Sequence, residues 1–388
     1  MTFTIICLDG FRYDYIQKTE FLKSLTKKSI YGEVDHGFGF ASEFSAITGK
    51  TNEQLGIIAS NFIYKPNEQG LKFFYFWNFL DSFPLKDKSR LILNLAYNTK
   101  EFLIGNNQPK SIFNIPLKYT RNFDYLFKKN FFMKETIISP TMFDLFRDKK
   151  VSAYMWPFIY KNNKTKIDLL NFSVNTTNTD ERAFKKSVEL LKENPDVCYI
   201  HFFSTDNLVH NYGINSEKTD DLIKQLDDFV ETIEKYSDSL LIFSDHGMVD
   251  VKETWNLWKL VEETDCKFGE DYVMFLDSTL ARFWFFNEKT KNKILNILSE
   301  SKKGRVVKFK NKNIHKNFGE IIFQLNPGIL LLPNFYQFKA DRATHGYSGK
   351  CKDEKAFYIL YKKGKKIRPV KKNIKIEEIF NIIKENNK

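Results

Sequence analysis

Six side chains suited to metal binding are spread along the sequence, and several of them follow an apolar run of strand type. They are Asp9, Asp206, His210, Asp245, His246 and His345. Carboxylate oxygens together with imidazole nitrogens suit zinc, manganese or iron better than calcium, which prefers oxygen alone. Two such ions can clamp a phosphoryl group between an attacking and a leaving oxygen. The residue types therefore favour a two-metal hydrolase.

The spacing of these residues indicates how they could meet. Asp9, Asp206 and Asp245 each follow a strand-like run within three residues. In an open α/β sheet, ligands bind beyond the carboxyl ends of the strands, so we expect the three carboxylates at one edge. His210 comes four residues after Asp206, and one helical turn would put both side chains on one face. His246 directly follows Asp245, so a loop must aim both side chains inward.

Each residue taken alone also has an ordinary structural explanation, since an Asp after a strand is often a helix cap. The combination and order of the six residues favour the metal site instead. The other histidines lack comparable partners in the sequence. His201 alternates within a strand and is interpreted as structural, and His315 lies in a loop rich in Lys and Asn. His36, near the presumed nucleophile loop, stays undecided.

Strand-like and helical patterns alternate along most of the chain. Strands are predicted at 2–8, 151–156, 197–203, 240–243 and 357–361, and helices at 21–26, 43–47, 141–147, 180–193, 216–236 and 376–384. This alternation predicts an α/β fold with a mostly parallel central sheet and helices on both faces.

Two stretches depart from the alternation. Residues 71–135 are dense in Phe, Tyr and Trp and show no clean period, so we interpret them as an aromatic-rich cap. Residues 262–338 are rich in β-strand patterns with one helix, as in an α+β insert. The sequence therefore predicts a core made of 1–70, 136–261 and 339–388, interrupted by two inserted cap subdomains.

The composition is that of a globular chain. Its 388 residues are 42% hydrophobic, and the mean hydropathy is −0.41. No apolar run reaches the roughly 18 residues of a membrane span, and the first residues lack the basic region of a secretory signal. The four cysteines form no CxxC pair, so neither a disulfide framework nor a zinc ribbon is expected. These features predict a cytoplasmic protein.

The net charge of +12 raises the question of nucleic-acid binding. Its basic clusters, Lys308–Lys316 and Lys362–Lys372, are interpreted as solvated faces, and no groove-reading motif accompanies them. We therefore expect no specific nucleic-acid binding. A positive field that attracts an anionic phosphate-ester substrate is compatible with the same charge, and the sequence leaves the oligomeric state open.

Five segments resemble the alkaline phosphatase superfamily, and most closely its type I phosphodiesterase/nucleotide pyrophosphatase branch. In family order they are Leu8–Arg12, Ile47–Lys50, Asp206–His210 with Gly213, Ser244–Met248 and Thr344–Tyr347. Together they span nearly the whole chain. The Ser-Asp-His-Gly-Met segment is quite specific, and the full set is highly specific.

The resemblance implies how the candidate ligands divide between two ions. One ion would be held by Asp206, His210 and His345, and the other by Asp9, Asp245 and His246. Both ions are usually zinc in this family, and the donor types also allow manganese or iron. The family nucleophile, a Thr or Ser, touches the second ion and forms a covalent phospho-enzyme.

The nucleophile loop departs from the family pattern. The nucleophile normally precedes the Gly of the Thr-Gly turn by ten residues, and counting back from Gly49 gives Gly39, which has no side chain. A shortened loop would bring Ser42 into position, so Ser42 is the catalytic candidate. Ser45 is weaker because it should lie within a helical turn. If neither serves, a water activated by a metal could attack directly, or turnover has been lost.

The expected function is hydrolysis of phosphate esters by two metals, as in a phosphodiesterase or nucleotide pyrophosphatase. A nucleotide, a sugar phosphate or a lipid-linked phosphate would be the substrate. The alternatives are a phosphomonoesterase or phosphotransferase of the same superfamily and a catalytically impaired metal-binding homologue. A sulfatase is disfavoured because no Cys lies near position 39. The aromatic insert could stack a base or form the core of a lid.

Overall fold

The computed structural model describes most of the chain, in several stretches. These are residues 1–40, 42–56, 62–65, 71–82, 86–103, 111–125, 140–146, 148–155, 165–169, 179–309, 318–348, 351–365 and 369–387. The chain divides into two compact units. The first contains Met1–Leu55, Phe132–Asp250 and Asp341–Lys388, and the second contains Gly56–Phe131 and Val251–Ala340. This division does not test the insert boundaries suggested by the sequence, 71–135 and 262–338, which therefore remain predictions.

The first unit is built on a sheet with nine strands among the described residues. In order, they are Val370–Lys371, Ile30–Asp35, Ala356–Lys362, Ser239–Phe243, Phe3–Leu8, Val197–Phe202, Val151–Met155 and Thr165–Leu169, with Ile374–Lys375 also paired to Ile30–Asp35. Ala356–Lys362 is antiparallel to both of its neighbours, and the other described pairs in this sheet are parallel. Phe3–Leu8 suits its central place because all its side chains are buried. The predicted mostly parallel α/β fold is confirmed.

Helices cover both faces of this sheet because successive side chains of a strand point to opposite sides. Ile200 faces a core shared with the helices Phe21–Thr26, Thr179–Lys192 and Glu217–Glu234. Tyr199 points the other way, and its ring lies 5.7 Å from that of Phe143 in the 3-10 helix Met142–Phe146. The remaining described helices of this unit are Ser42–Thr48, Asn52–Leu55, Ser204–Tyr212 and Glu378–Asn386, with 3-10 turns at Tyr13–Lys18 and Lys352–Glu354.

The second unit is richer in antiparallel structure. Its four-stranded sheet has the order Tyr272–Leu276, Leu280–Phe285, Ile321–Leu325 and Gly304–Val307, and two short pairs join Phe62–Tyr64 to Phe123–Tyr125 and Glu253–Trp255 to Ile329–Leu331. Its described helices are Lys72–Tyr75, Lys86–Leu103, Leu257–Glu262 and Glu288–Glu300, with 3-10 turns at Asn78–Ser82 and Leu117–Asn122. Among the helices of the described ranges, none has the length and apolar character to cross a membrane.

The long helix Lys86–Leu103 lies where the sequence shows no clean period. Its Leu93 and Tyr97 are buried, whereas Leu91, Ile92 and Leu95 are exposed. Apolar side chains on two sides of a helix remove the single apolar stripe from which an amphipathic helix is recognised. The absence of a clean hydrophobic period in this part of the sequence is therefore explained by the apolar outer side of the helix.

Candidate metal centre

The register of the central strands places three chain segments at one edge of the sheet. Cys7 pairs with His201 on one side and with Phe243 on the other. Asp9 comes two residues after Cys7, and Asp245 comes two residues after Phe243. The helix that carries Asp206 begins just beyond His201's strand, at Ser204. The sheet thus brings the three carboxylates to its carboxyl edge.

Gly10 allows the segment after the first strand to approach the neighbouring helix closely. Its φ is +68°, and an added Cβ would lie 3.0 Å from the Cα of Asp206. A larger residue would therefore meet both backbone strain and a steric clash. The Gly10 N–H donates to Oδ1 of Asp245 at 3.2 Å. This turn consequently fixes the relative positions of residues from both candidate ligand groups.

The first group contains Asp206, His210 and His345, whose potential ligand atoms lie within 4.8 Å of one another. Oδ1 of Asp206 is 3.4 Å from Nε2 of His210 and 3.7 Å from Nε2 of His345. The four-residue spacing does put Asp206 and His210 on one face of the helix Ser204–Tyr212. Nδ1 of His210 lies 3.1 Å from Oδ2 of Asp341, which orients the ring so that Nε2 faces the group.

Asp180 fixes the start of the helix that carries this group. Its buried carboxylate accepts the N–H of Phe203 and the N–H of Ser204, each at 3.0 Å. These donors are among those that a helix leaves unsatisfied at its first turn. Burial raises the pKa of Asp180, and the two backbone hydrogen bonds oppose that rise.

The loop after His345 is held by a fully buried carboxylate. Glu354 accepts the N–H groups of Gly346, Tyr347 and Ser348, the last at 3.1 Å. Nε2 of His36 lies 3.4 Å from Oε2 of the same Glu354. The buried carboxylate is thereby compensated by several donors. His36, undecided from the sequence, thus lies beside the support of the His345 loop.

The second group contains Asp9, Asp245 and His246, again with potential ligand atoms within 4.8 Å of one another. Nε2 of His246 lies 3.4 Å from Oδ1 of Asp9 and 3.4 Å from Oδ2 of Asp245. Nδ1 of His246 is 3.0 Å from the carbonyl oxygen of Gly247. A proton on Nδ1 would be donated to that carbonyl, which leaves the Nε2 lone pair for a ligand.

The two groups touch each other. The rings of His246 and His345 stack with centroids 3.8 Å apart and an angle of 5° between their planes. Nε2 of His246 also lies 3.9 Å from Oδ1 of Asp206. One residue of the second group therefore contacts two residues of the first, and the six side chains form a single cluster.

The close packing of acids and imidazoles shifts the pKa values of the second group in opposite directions. Burial and the negative charge of Asp9 raise the pKa of Asp245 to about 7. For Asp9, burial acts in the raising direction, but hydrogen bonds from His201 and His246 lower the pKa below its usual range. Burial likewise opposes the charge of His246, but the nearby Asp245 raises the pKa of that imidazole well above its ordinary value.

In the first group, burial and neighbouring charges also shift the pKa values in opposite directions. Burial acts to lower the pKa of His210, but the charge of Asp206 outweighs it and raises the pKa to about 10. The pKa of His345 is lowered by burial, and then by the positive charge of His246 and of His210. A neutral His345 can donate its lone pair to a cation, whereas His210 must first release a proton.

The candidate nucleophile Ser42 is the first residue of the helix Ser42–Thr48. It is only 1% exposed, and its Oγ is buried without a hydrogen-bond partner. Its chain neighbours contact the metal cluster and its surroundings: the ring of Phe40 lies 5.5 Å from that of His345, and Oε1 of Glu43 lies 3.2 Å from Nδ1 of His201. Phe40 and the start of the helix Ser42–Thr48 are therefore held beside the cluster.

The sequence offered little sign of three supporting residues. His201, interpreted as structural, has its Nε2 3.3 Å from Oδ2 of Asp9. Glu43 and Asp341 carry no such sign in the sequence, because an acid in a helix or loop is too common to indicate a role. Ser45 donates its hydroxyl to Oδ1 of Asn52 at 2.9 Å, inside the helix as expected. His315 lies outside the described residues.

Comparison with known proteins gives matches that cover most or all of the chain. A model of the type I phosphodiesterase / nucleotide pyrophosphatase family matches residues 4–347. No curated protein sequence matches significantly.

Several solved structures share the fold at low sequence identity. Murine ectonucleotide pyrophosphatase / phosphodiesterase 5 has a TM-score of 0.67 at 15% identity, over 100% of this chain and 95% of its own. The human protein of the same name gives the same values. An inactive form of the murine protein in complex with AMP has a TM-score of 0.67 at 14% identity, over 99% of this chain and 94% of its own. With the family model covering most of the sequence, the chain belongs to the type I phosphodiesterase/nucleotide pyrophosphatase family of the alkaline phosphatase superfamily.

Proposed function

We propose that the protein is a two-metal hydrolase of phosphodiester or pyrophosphate bonds. The observation that carries this proposal is the stacking of His246 on His345 at 3.8 Å, which joins two groups of ligand type into one cluster. Family membership supports hydrolysis of this class of bond. Two ions held side by side suit a reaction in which one oxygen attacks phosphorus while another departs.

The residues of the cluster fit divalent metals. Oδ1 of Asp206 is buried and makes no hydrogen bond of ordinary geometry, yet Nε2 atoms of His210, His345 and His246 surround it at 3.4, 3.7 and 3.9 Å, an arrangement that a cation would complete. Asp206, His210 and His345 would hold one ion, and Asp9, Asp245 and His246 the other. The mixture of oxygen and nitrogen donors favours zinc, with manganese or iron as alternatives. When bound, the ions would neutralise phosphate charge and lower the pKa of a nearby hydroxyl.

Ser42 is proposed as the nucleophile. Its Oγ would form a bond to phosphorus, and its proton would pass through water in the site to the departing oxygen of the leaving alcohol or phosphate as that bond breaks. Water would then hydrolyse the seryl phosphoester, which releases the remaining phosphate monoester and restores Ser42. The placement of its neighbours supports this role: the ring of Phe40 lies 5.5 Å from that of His345, and Oε1 of Glu43 lies 3.2 Å from Nδ1 of His201.

A nucleotide is the first substrate class to test. The AMP complex of the murine relative supports it, and the net charge of +12 favours an anionic substrate. Sugar-linked and lipid-linked phosphates share the same reacting group and form the next class.

The test combines metal content with three substrates. Bound metal would be counted by mass spectrometry, and hydrolysis of bis-p-nitrophenyl phosphate, p-nitrophenyl phosphate and a nucleotide p-nitrophenyl ester would be followed. We expect metal-dependent activity on the diesters above that on the monoester, and its loss in His246→Ala. Asp228 is an exposed acid in the helix Glu217–Glu234, so Asp228→Asn is the matched control and should leave metal content and hydrolysis rates unchanged. Wild-type protein that carries metal but is inert to all three substrates contradicts the proposal.

A catalytically impaired homologue is the second candidate, and two observations favour it. Gly39 offers no nucleophile at the position expected from the family, and Ser42 is 1% exposed. Ser42→Ala separates the possibilities. Loss of activity with metal retained supports Ser42 as nucleophile, and unchanged activity assigns the attack to water. An inactive wild type that binds metal normally identifies the impaired homologue.

A further inference from the structure

Glu354 contacts the loops of both candidate ligand groups, and it does so with different atoms. Its fully buried carboxylate accepts N–H groups from the loop that follows His345, in the first group. Its main-chain carbonyl oxygen accepts the N–H of Gly247 at 3.0 Å, in the loop of His246 of the second group. A change confined to the side chain of Glu354 should therefore act on the His345 loop and leave the main-chain bond to the other loop in place.

Three successive backbone donors converge on the carboxylate of Glu354. Oε1 accepts the N–H of Gly346 and, at 3.1 Å, that of Tyr347, while Oε2 accepts the N–H of Ser348 at 3.1 Å. Nε2 of His36 lies 3.4 Å from Oε2 as well. Both carboxylate oxygens are thus engaged. An amide in the same place would offer a single acceptor oxygen, and its NH2 group would face N–H donors.

The chain on the other side of His345 is held by different contacts. Ala343–Thr344 pairs antiparallel with Val249–Asp250, so the backbone that leads into His345 is fixed by a strand. After His345 the chain turns sharply at Gly346, whose φ is +88°. The carboxylate of Glu354 determines the path of the chain beyond that turn. The direction of the imidazole consequently depends on the strand before it and on Glu354 after it.

We propose that Glu354 is a positioning residue for the ion of the first group and not for the ion of the second. It holds the His345 loop in the path that places Nε2 of His345 3.7 Å from Oδ1 of Asp206. Partners of this kind orient a metal ligand, and their loss typically lowers metal affinity by about 10- to 100-fold. The inference deepens the proposed function and rests on it, because it presupposes a pair of ions.

A role of Glu354 in stability alone would have a different consequence. A carboxylate that only stabilised the fold would, once replaced, weaken both ions alike or neither. A positioning role predicts a selective effect, because the side chain reaches the His345 loop whereas only the main chain reaches the loop of Gly247. Metal binding measured ion by ion therefore distinguishes the two roles.

The test uses the full chain loaded with Co²⁺, whose visible absorption reports the ligands around each ion. Native mass spectrometry gives the number of ions bound, and a titration gives the affinity of each. We expect wild type to bind two ions, and Glu354→Gln to bind one ion normally and the other at least about ten-fold more weakly. The absorption of the singly loaded variant should match that of His345→Ala, which lacks a ligand of the first group.

Asp353→Asn is the matched control. It makes the same change from acid to amide at the neighbouring position of the turn, where the side chain is 63% exposed, and it should bind both ions like wild type. Glu354→Asp is the second variant, to be used if Glu354→Gln does not fold. It keeps the charge on a side chain one methylene shorter, and it should show the same selective weakening of the first-group ion.

The results that overturn this inference differ from those that overturn the proposed function. If wild type binds two ions and the Glu354 variant binds both with wild-type affinity, or binds both equally weakly, the positioning role is refuted and the proposed function stands. Wild type that does not bind two cobalt ions refutes both.

Discussion

Oε1 of Glu43 lies 3.2 Å from Nδ1 of His201, and Nε2 of the same ring lies 3.3 Å from Oδ2 of Asp9. The helix that begins with Ser42 is thereby connected to a candidate metal ligand through one buried imidazole. A second shell of this kind orients a ligand and tunes its basicity.

Replacing Glu43 should weaken metal binding without removing any proposed ligand. Glu43→Ala leaves Nδ1 of the buried His201 without its acidic partner, so Asp9 loses its fixed orientation. We expect metal affinity to fall about 10- to 100-fold, and less in Glu43→Gln, which loses the charge but fills the same space beside the imidazole. Competition with a fluorescent zinc chelator measures the affinity. Glu217→Gln, an exposed acid, serves as control. Affinities equal to wild type in both Glu43 variants contradict the positioning role.

Metal binding should strengthen as the pH rises. His210 has a raised pKa of about 10, so at neutral pH it carries a proton that must leave before Nε2 can bind a metal. Because the metal binds the deprotonated form, apparent affinity should rise by up to about ten-fold per pH unit below that pKa. Calorimetry in buffers of different ionisation enthalpy measures the protons released. An apparent metal affinity that does not change between pH 6 and pH 9 contradicts the prediction, because metal binding would then release no proton from His210.

A buried ion pair should dominate the stability of the second unit. Nε of Arg282 donates to Oδ2 of Asp277 at 2.7 Å, and both side chains are almost fully buried. Asp277→Ala leaves the guanidinium without its counter-charge, so we expect a loss of about 3–5 kcal/mol in the free energy of unfolding. Urea denaturation followed by tryptophan fluorescence measures it. Glu263→Ala removes the exposed partner of Lys259 and should cost less than about 1 kcal/mol. Similar losses in the two variants refute the prediction.

Gly346 and Phe40 should be energetically coupled. Gly346 has a φ of +88°, and an added Cβ would lie 2.2 Å from a ring carbon of Phe40. Gly346→Ala should therefore destabilise the protein through strain and through the clash. In the Phe40→Ala background only the strain remains, so the same substitution should cost less, by about 0.5–3 kcal/mol. A double-mutant cycle from denaturation measures this difference, and strictly additive effects show that the ring does not restrict position 346.

Local patterns in the sequence were sufficient for the central strands of the sheet, whereas outer strands such as Ile30–Asp35 and Thr165–Leu169 were not predicted. Phe3–Leu8 and Val197–Phe202 are short, wholly buried runs, and such runs specify parallel strands without reference to distant residues. The carboxyl ends of parallel strands share an edge, so Asp9 and Asp245 could be placed together from the sequence. The spacing of Asp206 and His210 likewise needs only the period of a helix.

Tertiary structure alone decided which side chains support that edge and which stay exposed. Glu43 reaches His201, and His36 reaches Glu354, across long stretches of sequence, and no local pattern encodes such pairs. Burial of the Ser42 hydroxyl depends on the elements packed around it. The sequence pattern does not reveal the helix Lys86–Leu103, because apolar side chains lie on its exposed side as well as its buried side. The sequence determined the candidate ligands because they follow local periodicity, whereas the residues that support them depend on the folded chain's long-range packing.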